Sequence, residues 1–214
     1  MKTYLHLDHI HSESLPPEFE ADDVRYPESL VRHFLEEYTR PGDRVFDPFA
    51  GFGTTLVAAQ DLGRVGFGLE IDPGKVEYAR SRLRQPDHLI AGDSRRLLDY
   101  DLPDFAFSIT SPPFMTRDEI DDPLTDYRAK GRGYRAYLDE LRGVYAQLRQ
   151  RMQPAGAVVL EVSNLKIGGQ LTTLAWDVAE QIGRVLHFDG EIVICWDRYG
   201  YGYDHSYCLV YSVL

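Results

Sequence analysis

Arg44-Val45-Phe46-Asp47-Pro48-Phe49-Ala50-Gly51-Phe52-Gly53-Thr54-Thr55 is the stretch on which the fold turns. Arg44–Asp47 reads as a short apolar strand and Thr54–Leu62 as the helix after it, with a glycine-rich turn between them. Gly51 and Gly53 let the backbone bend tightly into that helix, whose first N–H groups have no partner within the helix. Such a turn suits a ligand that must approach the main chain closely. The Gly-x-Gly alone does not name the ligand. A dinucleotide fingerprint expects a third glycine, and position 56 is leucine.

Outward from this turn, short apolar runs alternate with helix-like stretches. Val65–Glu70 is a second strand, and Pro73–Leu83 a helix with proline at its start, where the missing N–H costs nothing. His88–Ala91 and Phe105–Thr110 follow as strands, the latter almost wholly apolar, as a sheet covered on both faces requires. Tyr134–Met152 carries Leu138, Leu141, Tyr145 and Leu148 at helical spacing. Ala157–Val162 is a fifth strand and Thr172–Leu186 a helix; Glu191–Trp196 and Tyr207–Val213 form a C-terminal antiparallel hairpin. The alternation predicts a single α/β domain around a mostly parallel seven-stranded sheet. A helix over Ser29–Tyr38 precedes Arg40-Pro41-Gly42-Asp43, so residues 1–42 are an N-terminal segment and 43–214 the body of the domain.

Three acids stand at successive strand ends: Asp47, Glu70 (23 residues later) and Asp93. Open α/β sheets bind ligands at that edge, where Glu70 can take both hydroxyls of a ribose and Asp93 an adenine amino group. Taken singly, each would be an ordinary strand end or helix cap. Ser111-Pro112-Pro113-Phe114 follows directly on the fourth strand. Proline fixes φ near about −65°, so the carbonyl ahead of it points in one direction. An exocyclic amine on an aromatic ring is a poor nucleophile because its lone pair is delocalised. Hydrogen bonds from its N–H groups to the Ser111 side chain and the Pro112 carbonyl would favour a pyramidal nitrogen with the lone pair exposed. Phe114 would stack on an extruded ring, and in-line placement of a methyl donor is then a matter of positioning.

The string Asp47–Thr55 together with Ser111–Phe114 resembles the S-adenosylmethionine-dependent amino-methyltransferases of the DNA methylase type, which act on N4 of cytosine or N6 of adenine. The resemblance implies a Rossmann-like class I methyltransferase domain and S-adenosyl-L-methionine as cofactor. It implies cofactor contacts from Asp47, Phe49, Gly51, Gly53, Thr54, Glu70 and Asp93, and catalysis at Ser111, Pro112, Pro113 and Phe114. Tyr26-Pro27-Glu28 is similar to the family segment that packs near the cofactor's methionine part, which adds Tyr26 and Pro27 and places the N-terminal helix on the cofactor site. Serine at the head of the tetrapeptide tends to accompany cytosine, so cytosine is favoured over adenine. Motifs carry the resemblance from Tyr26 to Phe114, and fold pattern alone carries it further. Ring-carbon methylation needs a cysteine nucleophile, but Cys195 and Cys208 both lie inside β runs.

A net charge of −11 is unusual for a protein that handles a polyanion. Arg128, Lys130, Arg132 and Arg135 cluster just after the tetrapeptide, and the first three are the expected substrate contacts; Asp118, Glu119, Asp121 and Asp122 stand against them. DNA-modifying members of the family usually carry a separate target-recognition region, and Met115–Gly133 is the only sizeable loop beside the catalytic segment. Base-specific reading would then need a protein partner, a homodimer or a substrate with its own shape. The expected partner is nucleic acid, DNA before RNA. The alternatives are a small nucleobase-like or amine metabolite and a catalytically silent cofactor-binding subunit. No apolar run approaches the ~20 residues of a membrane span, and two cysteines indicate no disulfide framework, so a cytoplasmic protein without membrane contact is expected. His6, Asp8, His9 and His11 match no complete zinc pattern, and no metal is expected. Tyr199-Gly200-Tyr201-Gly202-Tyr203 reads as a hairpin tip, with a base-stacking platform as the alternative.

Overall fold

The computed structural model describes residues 2–197 and 202–214. Its elements in chain order begin with β1 (Tyr4–Leu7), α1 (Glu28–Tyr38), β2 (Arg44–Asp47), α2 (Thr54–Asp61), β3 (Val65–Glu70), α3 (Pro73–Ser81), β4 (Leu89–Ala91) and β5 (Phe105–Thr110). They continue with α4 (Tyr134–Leu148), β6 (Met152–Val162), β7 (Leu165–Ile167), β8 (Gln170–Thr172), α5 (Leu174–Ile182), β9 (His187–Trp196) and β10 (His205–Ser212). Eight strands form one sheet in the order β1-β9-β10-β6-β5-β2-β3-β4, while β7 and β8 pair separately.

The sheet therefore has eight strands, one more than the sequence pattern predicts. The extra member is β1, which pairs in parallel with the edge of β9, Tyr4 opposite Val193 and Leu7 opposite Trp196. Only Leu5 and Leu7 of its four residues turn toward the protein, so its apolar signal is weak. Within the sheet, β2, β3, β4, β5 and β6 run parallel, and β10 is antiparallel to both β6 and β9. The expected C-terminal hairpin is thus present, and it closes the sheet beyond β6. Two glycines in the left-handed region, Gly168 and Gly169, make the tight turn between β7 and β8.

Successive residues of β2 and β6 feed opposite faces, and on β5 a register shift between Phe105 and Phe107 sends those two to different faces. Phe46, Phe105, Val158 and Leu160 pack under α4 and α5 with Leu141, Tyr145 and Val178. Val45, Phe107, Ile109 and Val159 pack under α1 and α2 with Leu30, Phe34, Ala58 and Ala59. Phe46 stacks on Phe105 with centroids 4.6 Å apart, which ties β2 to β5 beyond their backbone pairing. Among the described residues, no helix is long and apolar enough to cross a membrane.

The turn after β2 lies directly on β3. A Cβ added to Gly68 would stand 2.9 Å from Ala50 Cβ, 3.0 Å from Leu56 Cδ1 and 3.2 Å from the Asp47 carbonyl oxygen. Two of these neighbours are main chain or attached directly to it, so they cannot swing aside. Gly68→Ala is expected to destabilise the fold by about 1–3 kcal/mol, read from urea unfolding, because overpacking at a close backbone approach forces the turn off the strand.

Candidate active site

Parallel pairing of β2, β3, β4 and β5 brings four strand ends to one edge of the sheet. The segments that follow them surround a cleft of about 490 Å³, within the usual size of a small-molecule site. Pro48, Phe49 and Gly51 come from the turn after β2, Glu70 and Ile71 from the end of β3, Gly92 and Ser94 from beyond β4, and Ser111–Phe114 from beyond β5. A smaller compartment of about 90 Å³ adjoins it and opens on Tyr26, Asp47, Gly51, Thr54 and Ser111. Phe49, Gly51, Lys75 and Ser111 border both spaces, so Ser111 stands at their junction.

Asp47 is almost fully buried, and its carboxylate is saturated by donors. It accepts from the Thr55 hydroxyl at 2.5 Å, the Phe49 N–H at 2.9 Å and the Tyr26 hydroxyl at 3.2 Å, and the Tyr26 and Thr55 hydroxyls also meet each other closely. Burial raises the Asp47 carboxyl above its ordinary value, and these donors draw it back. Burial, reinforced by the charge of Asp47, pushes the Tyr26 phenol well up. Pro27, also buried, stands immediately before the first turn of α1. Gly51 (φ 51°) and Gly53 (φ 82°) both take left-handed conformations, as the turn into α2 demands.

Glu70 accepts the Gly51 N–H at 2.8 Å on one oxygen and the Asp72 N–H at 2.8 Å on the other. Its carboxyl is pushed up to about 7, chiefly by burial, against the opposing charge of Lys75. Asp93 behaves differently. Gly92 and Ser94 face the cleft and Asp93 does not; its carboxylate accepts the Arg95 N–H at 2.9 Å and grips the Arg95 guanidinium at 2.7–3.0 Å. Arg95 continues to Asp122 at 3.2 Å and Glu140 at 3.0 Å, so this acid anchors the strand end to α4 and to the 115–133 loop.

The tetrapeptide is braced from behind. Tyr137 donates to the Pro113 carbonyl at 2.8 Å and Tyr127 to the Phe114 carbonyl at 2.7 Å. Among the described residues, none donates to the Pro112 carbonyl or hydrogen-bonds the Ser111 hydroxyl. The following loop folds over the cleft with Pro123, Leu124, Asp126 and Tyr127, the last two in left-handed conformations. Its cations are all paired: Arg128 with Asp72, Lys130 with Asp121 at 2.6 Å and Arg132 with Glu140.

Lys75, Ile71, Ser94, Asp126 and Tyr127 border the cleft without having been singled out by sequence. Lys75 alone carried a signal, a cation in the first turn of α3, where the helix dipole disfavours it. It pairs with Asp126 at 2.7 Å and so fastens the loop to α3. The N-terminal histidines go elsewhere. His9 packs edge-on against Trp196 and His11, and among the described residues no three metal-ligating side chains gather. Tyr199, Gly200 and Tyr201 lie outside the described residues.

Residues 9–81 match the family model described as DNA methylase. Type II methyltransferase M.Cfr9I of Citrobacter freundii is 40% identical over 67 residues, 31% of this chain and 22% of that protein. Type II methyltransferase M.HinfI of Haemophilus influenzae is 38% identical over 65 residues, 30% of this chain and 18% of that protein. The matched stretch thus spans about a fifth of the length of these relatives. Among solved structures, the TehB-like SAM-dependent methyltransferase from Corynebacterium glutamicum has a TM-score of 0.59 at 14% identity, covering 92% of this chain and 93% of that one. A Streptococcus mutans protein solved in complex with SAH has a TM-score of 0.57 at 12% identity, over 89% and 99% of the two chains. The fold is that of the class I methyltransferases, and the cofactor of the Corynebacterium glutamicum protein is S-adenosylmethionine. The donor set suits it, because a buried carboxylate beside an open, partly apolar cleft provides an acceptor for sugar hydroxyls.

An acid whose native value is raised keeps its proton in the folded state after the unfolded chain has lost it. The contribution of Glu70 to stability is therefore complete below about 4.5 and is lost as pH climbs toward about 7. Glu70→Gln lacks this loss. Its stability relative to the wild type is expected to rise by about 2–3 kcal/mol between about pH 5 and about pH 8 in urea unfolding of the free protein.

Proposed function

We propose that this chain transfers a methyl group from S-adenosylmethionine to an exocyclic amino group of a nucleic-acid base, in DNA, with cytosine favoured over adenine. One observation carries this reading. At the junction of the two compartments, the Ser111 hydroxyl and the Pro112 carbonyl keep their hydrogen-bonding capacity, while Tyr137 and Tyr127 occupy the next two carbonyls and hold the segment still.

The cofactor supplies an electrophilic methyl group at a sulfonium centre. Glu70 takes the ribose hydroxyls, exchanging its desolvated proton for their two donors. Tyr26, Pro27, Asp47, Phe49, Gly51, Gly53 and Thr54 shape the small compartment for the amino-acid end, Asp47 by fixing the turn. Asp93 acts one step removed, since its pair with Arg95 presents Gly92 and Ser94 to the base of the cofactor. Ser111 and the Pro112 carbonyl accept the two N–H groups of the target amine, and Phe114 stacks on its ring. Rate then comes from orientation: the pyramidal nitrogen is aimed at the methyl carbon. Residues 1–42 belong functionally with this cofactor site, and 43–214 form the methyltransferase body.

Arg128, Lys130 and Arg132 serve a phosphate backbone by giving up their present carboxylates. The exchange is cheap for Lys130, because its pair with Asp121 is exposed and such pairs are worth only about 0–1 kcal/mol, and costs more for Arg128, whose partner Asp72 is buried. The same pairing favours a second reading, a small nucleobase-like amine as acceptor, since no unpaired basic track leads from this loop to the cleft. Target choice on a polymer would draw on a protein partner or a second copy of the chain.

Incubation with methyl-labelled S-adenosylmethionine and, separately, DNA, total RNA and a metabolite extract, followed by mass spectrometry, is expected to yield N4-methylcytosine in DNA. Label confined to small molecules would replace the acceptor by the second reading, and no transfer despite intact cofactor binding would overturn catalysis. In the productive assay, Ser111→Ala is expected to lower kcat by about 10²–10³ while leaving SAH affinity unchanged. Unaltered turnover would remove Ser111 from the site.

A further inference from the structure

Beside the tetrapeptide runs a wall of side chains that methyl transfer does not use. Arg117, three residues beyond Phe114, donates its N–H to the Thr172 hydroxyl of β8 at 3.2 Å and its guanidinium to Asp177 of α5 at 3.1 Å. Next to Asp177, Trp176 is 45% exposed, and its ring centroid lies 4.7 Å from that of Tyr207. Tyr207, His205 and Tyr203 occupy alternate positions and so share one face of β10 and of the residues leading into it. Their successive ring centroids are 5.3 Å apart, and His205 Nε2 meets the Tyr207 hydroxyl at 2.9 Å. At the far end the chain meets β7, where a Cβ on Gly202 would stand 3.0 Å from Lys166 Cβ.

Lys166 differs from the cations of the 115–133 loop. It is exposed, and among the described residues it has no carboxylate partner. Among the described residues, Lys166 therefore places an unpaired positive charge on the β7–β8 hairpin, at the end of the aromatic row. Trp176 is exposed and Tyr207, His205 and Tyr203 are half-buried; rings open to solvent on one side accept unpaired bases, whose faces are open, whereas the bases of a duplex cover one another. Among the described residues no long basic track of the kind a duplex requires runs around the cleft, and the protein as a whole is strongly acidic.

We propose that the row Trp176–Tyr207–His205–Tyr203, with Lys166 at its end, holds the unpaired DNA strand that flanks the target base. The bases stack on the rings, and Lys166 meets a phosphate. This inference rests on the DNA reading above. It gives the domain a built-in means of holding its substrate beside the catalytic segment, in which single-strandedness, rather than a groove, is recognised.

The protein offers its own reporter. Trp196, the second of its two tryptophans, is only 6% exposed and donates to Ser206 at 2.9 Å, so a bound strand reaches Trp176 alone. Titration with a short single-stranded oligonucleotide is expected to quench tryptophan emission, with a duplex of the same sequence binding at least tenfold more weakly (about 1.4 kcal/mol). Trp176→Ala combined with Tyr203→Ala is expected to weaken single-strand affinity, read by anisotropy of a labelled oligonucleotide, by about tenfold or more while leaving SAH affinity unchanged. Lys166→Gln should lower the slope of log affinity against log salt by about 0.7. Equal binding of single strand and duplex, or unchanged affinity in the double variant with SAH binding retained, overturns the wall and leaves the methyltransferase reading standing. Binding of SAH with neither strand binding nor methyl transfer to any nucleic acid overturns the DNA reading and the wall together.

Discussion

A carboxylate removed from water must find donors, and at the end of β2 Asp47 finds three: Thr55 in the first turn of α2, the Phe49 amide in the turn itself and Tyr26 ahead of α1. One buried charge thus holds together a strand end, a helix start and the entering N-terminal segment. The glycine turn so fixed aims the Gly51 N–H at Glu70, linking the end of β2 to that of β3 through a second buried carboxylate. The cleft depends on these two acids before any ligand arrives. Close packing of Gly68 beneath Ala50 and Leu56 completes the arrangement, since the turn can lie against β3 only where no side chain intervenes.

The other wall is built by a different device. Ser111–Phe114 gains rigidity from its prolines and from two tyrosine hydroxyls, one on α4 and one on the 115–133 loop. The loop is in turn fastened to the start of α3 by Lys75–Asp126 and Arg128–Asp72. The two walls of the cleft therefore share one network of charges. This network leaves the net charge of −11 without local relief, since every cation of the loop from Arg128 to Arg132 is already matched by a carboxylate. An acidic protein can approach DNA when its contacts are aromatic rather than electrostatic, a physical reason to look toward β10 and the β7–β8 hairpin for the polymer.

Much of this was legible in the chain. The central strands are apolar runs, α2 follows the glycine turn, α3 starts with a proline and α4 carries an apolar stripe, so local pattern and final position agree. The glycine turn and the proline pair are local constraints on the backbone and needed no partner to be read. β1 escaped because a four-residue edge strand buries only two side chains, and its pairing partner lies near the opposite end of the sequence. Asp93 illustrates a different kind of dependence. Its place at a strand end was readable, but the direction of its carboxylate depends on Arg95, which itself depends on Glu140 of α4 and Asp122 of the loop.

By itself, then, the sequence determined the α/β alternation, the turn that opens a cofactor site, the tetrapeptide and the edge of the sheet on which they meet. These follow from backbone preference and polarity over a few residues. Only the tertiary structure decided the eighth strand, the diversion of Asp93, the neutralised loop, the clasp at Lys75 and the aromatic row running from Trp176 to Tyr203. Each of these depends on which groups from distant segments come within about 3–5 Å of one another, and close-range hydrogen bonding, ion pairing and ring contact act only once the fold has set those distances.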